Sequence, residues 1–381
     1  MSKQARTLDN PNGWKFDIRQ TNIAKGVALI MLLWHHLFYS SAEYYQRFTT
    51  MRLYKGIPIE STVSNYCKVC VAVFLLLSGY GLYMSWQSYE KKVVNSKGKF
   101  TILSQLVFVK NHLLKLMFSF WLIYILFVPL SVFFGTPFWE IYKNNFWYGL
   151  IDFLGLANLF KTPSINGTWW FMSVIILFYL LFPLMMFIVK RSPGTLVAIA
   201  VFLTFSPVIK FLPQVAFFSR YYAWLVPFAL GLFFARFGLF EKIAGLNGSL
   251  PKALILTLSL LAASIALRLY LRHKVYLDGF FAIAVILFAY LILSRVPVLS
   301  KVLEHLGKQS GAIFMFHTFI FSRYFREFIY SPQNAILIFL LLAVISYLVA
   351  VLLQYLRKWT RYDKLVKMLT APKFTETEKA A

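Results

Sequence analysis

The chain has 381 residues, of which 59% are hydrophobic, 19% aromatic and only 14% charged. Soluble domains carry about 25% charged residues, so an ordinary water-soluble domain is excluded, and the continuous apolar runs exclude a transmembrane barrel, whose strands alternate. The net charge of +25 does not mark a nucleic-acid partner, because the lysines and arginines form short clusters between apolar stretches, as the positive-inside bias and anionic lipid favour.

Residues 1–20 are polar and lack the short apolar core and small-residue site of a cleavable signal, so the first span is expected to insert the chain by itself. Crossing the hydrocarbon takes about 20 apolar residues. Apolar windows predict spans near 21–41, 66–86, 113–134, 169–190, 194–211, 221–238, 252–271, 278–294, 310–326 and 334–356. The fold class expected is all-α, a polytopic integral membrane bundle of about ten helices. An eleventh segment, FWYGLIDFLGLANLF (146–160), is interrupted by Asp152, two glycines and Asn158 and reads as re-entrant or interfacial. If it does not cross, both termini lie on one side, and most Lys and Arg residues fall in the loops of that side, which is then cytoplasmic. The organisation predicted is a cytoplasmic segment at 1–20, one membrane domain at 21–356 and a basic cytoplasmic tail at 357–381. Within that tail, RKWTRYDKLVKML (357–369) has apolar residues at helical spacing and reads as an amphipathic anchor on membrane lipid.

The first span holds KGVALIMLLWHHLF (25–38), three ionisable residues in an apolar run. Eleven residues make three turns plus about 20°, so Lys25 and His36 share one face about 16 Å apart along the axis, with His35 rotated by about 100°. Ionisable groups at membrane depth usually line a pathway or a site. The cysteines of NYCKVCVAVF (65–74) read as small buried residues on one helical face, with no partner Cys/His pair at metal-ligand spacing, and no metal is expected. In FLLLSGYGLY (74–83) the small residues read as close helix packing. In NGTWWFMSVIILFYLLFP (166–183) the tryptophans read as an interfacial belt, and Tyr179 and Pro183 as a bent helix. In LEHLGKQSGAIFMFHTFIF (303–321), Gly307 and Ser310 read as loop and N-cap, with His317 two turns into the next span.

Lys-x10-His in the first span, F-L-L-L-S-G-Y in the second, W-F-x6-F-Y-x3-P mid-chain and L-G-K-x-S-x6-H near the end stand in the order of a known pattern. Over residues 17 to about 320 the chain resembles the acyltransferase-3 family of membrane acyltransferases, which modify cell-envelope glycans. The resemblance implies a bacterial enzyme of the cytoplasmic membrane. It implies transfer of an acyl group, usually acetyl from acetyl-CoA, to a hydroxyl of a surface glycan or lipid-linked sugar. It makes His36 a catalytic candidate beside His35 and His317. Lys25 becomes the candidate for the donor's phosphates, joined by Lys110 and Lys115 of FVKNHLLKLMF (108–118). The chain departs from the family in having Lys25 where arginine is commoner, Asn22 where aspartate is common, Ile175 and Ile176 where many members have glutamates, and no arginine or proline in the 108–118 pattern. A non-enzymatic exporter of a surface polysaccharide or lipid-linked sugar is the alternative reading. It predicts repeat symmetry or several charges across spans, neither of which the sequence has.

Overall fold

A computed structural model describes residues 13–39, 53–54, 57–205, 219–270 and 277–370. Apart from a ladder of two residues per strand, Leu53–Tyr54 with Ile57–Pro58, the regular structure described is helical. Residues 1–12 of the polar N-terminal segment, 40–41 and 206–211 of two predicted spans, residue 271 and the tail beyond 370 lie outside the described residues.

Among the described residues, five helices are long and apolar enough to cross a membrane: Ile59–Lys97, Ile102–Val132, Leu250–Tyr270, Asp278–Arg295 and Ala335–Trp359. Two bent pairs, Gly167–Leu180 with Phe182–Arg191 and Tyr221–Phe237 with Leu239–Leu246, raise the number to seven. This is fewer than the ten expected, and the differences have local causes. The first helix, Ile18–Phe38, is long enough, but Asn22, Lys25, His35 and His36 dilute its apolar run. The 194–211 window is described as a 13-residue helix, Pro193–Phe205. The 310–326 window begins in the apolar end of a longer helix, Pro297–Thr318, whose earlier turns carry Lys301, Glu304 and Lys308, and runs on through a π turn, Phe319–Tyr324, to the start of the helix Arg326–Tyr330. Gly307 and Ser310 are therefore mid-helix residues, not loop and cap, and His317 sits in the last turn.

The described residues form two compact units. The first takes the chain up to Met31, Tyr66–Met84 and Ser192–Lys308. Backbone contact through glycine builds its core. A β-carbon on Gly26 would overlap the Leu303 carbonyl, and one on Gly307 would overlap the Asn22 carbonyl. The first helix and the helix Pro297–Thr318 thus cross with no side chain between them at these points. A second crossing of this kind joins Gly79 to Phe228 and Gly231 to Leu76, so Gly79 makes the close packing expected of it, while Gly81 faces open space. Phe16 stacks on Phe240 at 4.4 Å and meets Tyr80 and Tyr290 edge-on. Within Ile59–Lys97 the regular ladder is interrupted at residues 68–69, so the buried Cys67 ends its first part and the buried Cys70 begins its second.

The second unit takes Leu32–Asn65, Ser85–Arg191 and the chain from Gln309 onward. Trp86 is fully buried, with Phe100, Phe108 and Phe182 edge-on around it at 5.0–5.4 Å. The mid-chain span bends by 54° at Leu181, two residues before Pro183, whose ring cannot sit inside an unbroken ladder. Segment 146–160 does not cross: it is a helix of eight residues, Phe146–Phe153, about 12 Å long, ended at Gly155 with φ +70° and followed by Ala157–Phe160. In the tail, Tyr362–Thr370 is an amphipathic helix that docks on Ile102–Phe127. Its Val366 and Thr370 are buried, the Tyr362 hydroxyl donates to the Phe118 carbonyl at 2.7 Å, and Met368 stays exposed.

Candidate functional site

The last turn of the first helix carries His35 and His36, and the last turn of Pro297–Thr318 carries His317. The imidazole centres of His36 and His317 lie 5.0 Å apart, inclined by 54°. Residues 281 positions apart in the chain are thereby brought into one pair.

His317 is fully buried, and its Nδ1 lies 2.9 Å from the Ile313 carbonyl and 3.1 Å from that of Phe314. Carbonyls only accept, so in the neutral ring Nδ1 carries the proton and Nε2 carries the lone pair. That Nε2 is buried and has no hydrogen-bond partner among the described residues. A buried polar atom without a partner is costly, and such costs concentrate where a reacting group has to be received. His36 is half-buried and sits beside it.

His35 has a different surrounding. Its Nδ1 donates to the Ser64 carbonyl at 2.8 Å, and the Ser64 hydroxyl returns a bond to the His35 carbonyl at 3.2 Å. One residue earlier, Trp34 Nε1 donates to the Glu60 carbonyl at 3.1 Å. These bonds clamp the last turns of the first helix to Ile59–Cys67, and the Tyr330 hydroxyl caps the freed Leu37 carbonyl at 2.9 Å. His35 holds the helix, and its neighbour is left for the pair.

A strap formed by residues 164–169 fixes the other side. Asn166 Oδ1 accepts from the Thr168 backbone and hydroxyl at 3.0 and 2.8 Å and from the Thr318 hydroxyl at 2.8 Å, while its Nδ2 donates to the Met315 carbonyl at 3.2 Å. Trp169 Nε1 donates to the same carbonyl at 2.8 Å. Met315 and Thr318 flank His317, so the strap sets the position of the histidine-bearing turn as its ladder changes register. Trp169 is therefore a buried strap residue and not a belt residue, because its indole N–H is spent inside the unit.

Behind the strap, Asp152 is buried and accepts from the Tyr142 hydroxyl at 2.7 Å and the Ile165 N–H at 3.0 Å. Burial pushes its carboxyl up to about 6, against the lowering effect of these bonds. The folded state then binds the proton more tightly than the unfolded chain does. The resulting stabilisation is full below pH 3.8 and is lost as the pH rises through about 6, a change on the order of 3 kcal/mol. In thermal unfolding between pH 4 and 7, Asp152→Asn is expected to remove this decline. A pH profile identical to wild type would assign the carboxyl an ordinary environment.

The other candidates lie apart from the histidines. Lys25 is half-buried on the first helix, three turns before His36. Lys110 and Lys115 are exposed on Ile102–Phe127. Phe127 of that helix stacks on Phe316 at 5.3 Å, so along the axis the two lysines are about 26 and 18 Å from the level of the pair. Among the described residues no three His, Cys, Asp or Glu side chains group to hold a metal ion. Sequence reasoning missed Asn166, Ser64 and Asp152. Only Asn166 left a local signal, as an Asn-Gly-Thr cap before a helical run.

Two adjacent imidazoles, one half-buried and one buried with its tautomer fixed by backbone carbonyls, can accept a proton and pass it on. A family model described as an acyltransferase domain matches residues 18–355 of the chain. Comparison with curated proteins and with solved structures finds no match.

Proposed function

The chain belongs to the acyltransferase-3 family, and from that premise we propose that it moves an acetyl group from acetyl-CoA to a hydroxyl of a cell-surface glycan or of its lipid-linked precursor. The observation that carries this reading is the His36–His317 pair at 5.0 Å. Attack of a hydroxyl on a thioester needs a base to take the hydroxyl proton as the new C–O bond forms, and imidazole suits that near neutral pH. His36, half-buried and therefore reachable, takes the proton from the acceptor oxygen. His317, with Nδ1–H committed to two carbonyls, offers Nε2 to orient His36 and to share the positive charge it gains. The proton then passes to the departing thiolate, which leaves both rings neutral.

Lys25 is assigned to the donor's phosphates, with Lys110 and Lys115 as further contacts on the cytoplasmic side. A single charge-assisted contact is worth about 1.5–3 kcal/mol. Lys25→Ala is therefore expected to raise KM for acetyl-CoA by about tenfold or more while leaving kcat near wild type, with Lys25→Arg close to wild type. The reading is tested by following radiolabelled acetyl from acetyl-CoA into surface glycan in membranes containing the full chain. Acetyl-free glycan at normal surface levels in cells lacking the chain supports it. Loss of the polymer itself from the surface assigns export instead.

A further inference from the structure

The second unit contains a cavity of about 600 Å³ that the proton chemistry above does not use. It lies between the C-terminal end of Ile102–Phe127 and the short helices Phe138–Ile141 and Phe146–Phe153. Ile125, Val128, Phe138, Phe146, Leu150 and Phe153 make it largely apolar. A volume in the range of about 300–1,000 Å³ with few polar groups is that of a ligand pocket, not of a packing defect.

The polar groups are placed unevenly. The Tyr124 and Tyr142 hydroxyls are bonded to each other at 3.0 Å and onward to Gly149 and Asp152, so the wall's own polar atoms are already satisfied. Asn144, an exposed lining residue, takes the left-handed conformation at φ +53°, a shape that asparagine tolerates and most residues avoid. The Asn144 side chain is exposed and makes no hydrogen bond among the described residues. Asn145 spends its Oδ1 on capping the next helix, at 2.9 Å from the Trp147 N–H. An apolar body with an amide at the rim matches an amphiphile: a hydrocarbon chain with a hydrogen-bonding head.

Two further features fix the kind of amphiphile. The cavity lies at the end of a helix long and apolar enough to cross a membrane, and Ile125 and Trp139 of its lining are exposed, so a hydrocarbon chain can enter it from outside. Its wall is also bonded to the catalytic pair's support. Tyr142 holds Asp152, Asp152 holds Ile165, and the next residue, Asn166, holds Met315 and Thr318 on either side of His317. A ligand seated here rests against Tyr142, whose hydroxyl is bonded through Asp152 to the strap that positions the pair. A passive bilayer lipid has no need of that connection, whereas an acceptor does.

We propose that this cavity is the acceptor's anchor site, holding the hydrocarbon chain of a lipid-linked sugar with its first sugar at Asn144. The proposal rests on the acyltransferase reading for the word acceptor, and its test does not depend on transfer. The full chain is placed in phosphatidylcholine nanodiscs and photolabelled with an alkyl glucoside bearing a diazirine in its chain, and the labelled peptides are mapped. Label is expected on 124–129 and 138–153. Ile125→Trp, which fills the mouth from an exposed position, is expected to lower that label by about tenfold at an unchanged melting temperature. A polyisoprenyl-linked hexose is expected to displace the label and phosphatidylglycerol is not. Asn144→Gly, which keeps the left-handed backbone, is expected to weaken displacement by the hexose-bearing lipid but not by the same isoprenyl phosphate without sugar.

Label spread over Ala335–Trp359 and other lipid-facing helices in proportion to exposure would overturn the site. So would unchanged labelling of a folded Ile125→Trp protein, and equal displacement by phosphatidylglycerol would assign an ordinary bilayer lipid. Label at the cavity without any acetyl transfer removes the acyltransferase reading and keeps a sugar-lipid site. Transfer without label at the cavity does the reverse.

Discussion

His36→Ala is expected to abolish acetyl transfer, with kcat falling by about 10²–10⁴-fold, the range general-base catalysis contributes. The protein should still reach the membrane at normal levels, because the bonds that hold this helix end come from Trp34, His35, Leu37 and their partners. His317→Ala should cost about as much. If the two rings share one proton, the double variant is expected to be no worse than either single one, since groups that act as a unit are strongly non-additive. Losses that multiply would mean separate roles. Undiminished transfer in His36→Ala would end the catalytic assignment. Ser64→Ala is the useful contrast. The His35 ring bonds to the Ser64 main-chain carbonyl, which that change keeps, so only the bond from the serine hydroxyl at 3.2 Å is lost.

Gly307→Val is expected to have the other large effect, on folding. A β-carbon there overlaps the Asn22 backbone carbonyl, and a backbone cannot move aside as a flexible side chain does. The cost should exceed about 4 kcal/mol, enough to prevent accumulation of folded protein. Gly311→Ala, four residues on in the same helix, meets nothing within 4 Å and should be neutral or slightly stabilising through helix propensity. Size-exclusion profiles in mild detergent compare the two directly. A monodisperse Gly307→Val protein with the melting temperature of wild type would disprove the backbone contact.

The differences between the expected and observed elements have one origin. Apolar windows report composition over about 20 residues, but not where a helix begins or ends. The window at 310–326 was legible as apolar, yet the helix in which it begins starts at Pro297 with charged early turns, and that start is not marked by hydropathy. The bend of the mid-chain span was legible because proline acts locally on its own ladder. Trp169 was misread for the opposite reason: an indole at a span's end looks the same whether it meets headgroups or donates to a carbonyl 146 residues away.

By itself the sequence determined the helical membrane class, the amphipathic tail helix, the non-crossing segment at 146–160 and the family, because each rests on composition, local periodicity or a spaced motif. It also set His36 on the face of Lys25, since helical spacing is a local property. Only the tertiary structure decided that His317 is the partner of His36 and that His35 is a clamp. The two histidines of HH differ by a rotation of about 100°, and what each then meets depends on which distant segment lies on that side. For His35 this is Ser64, and for His36 it is a residue from the far end of the chain.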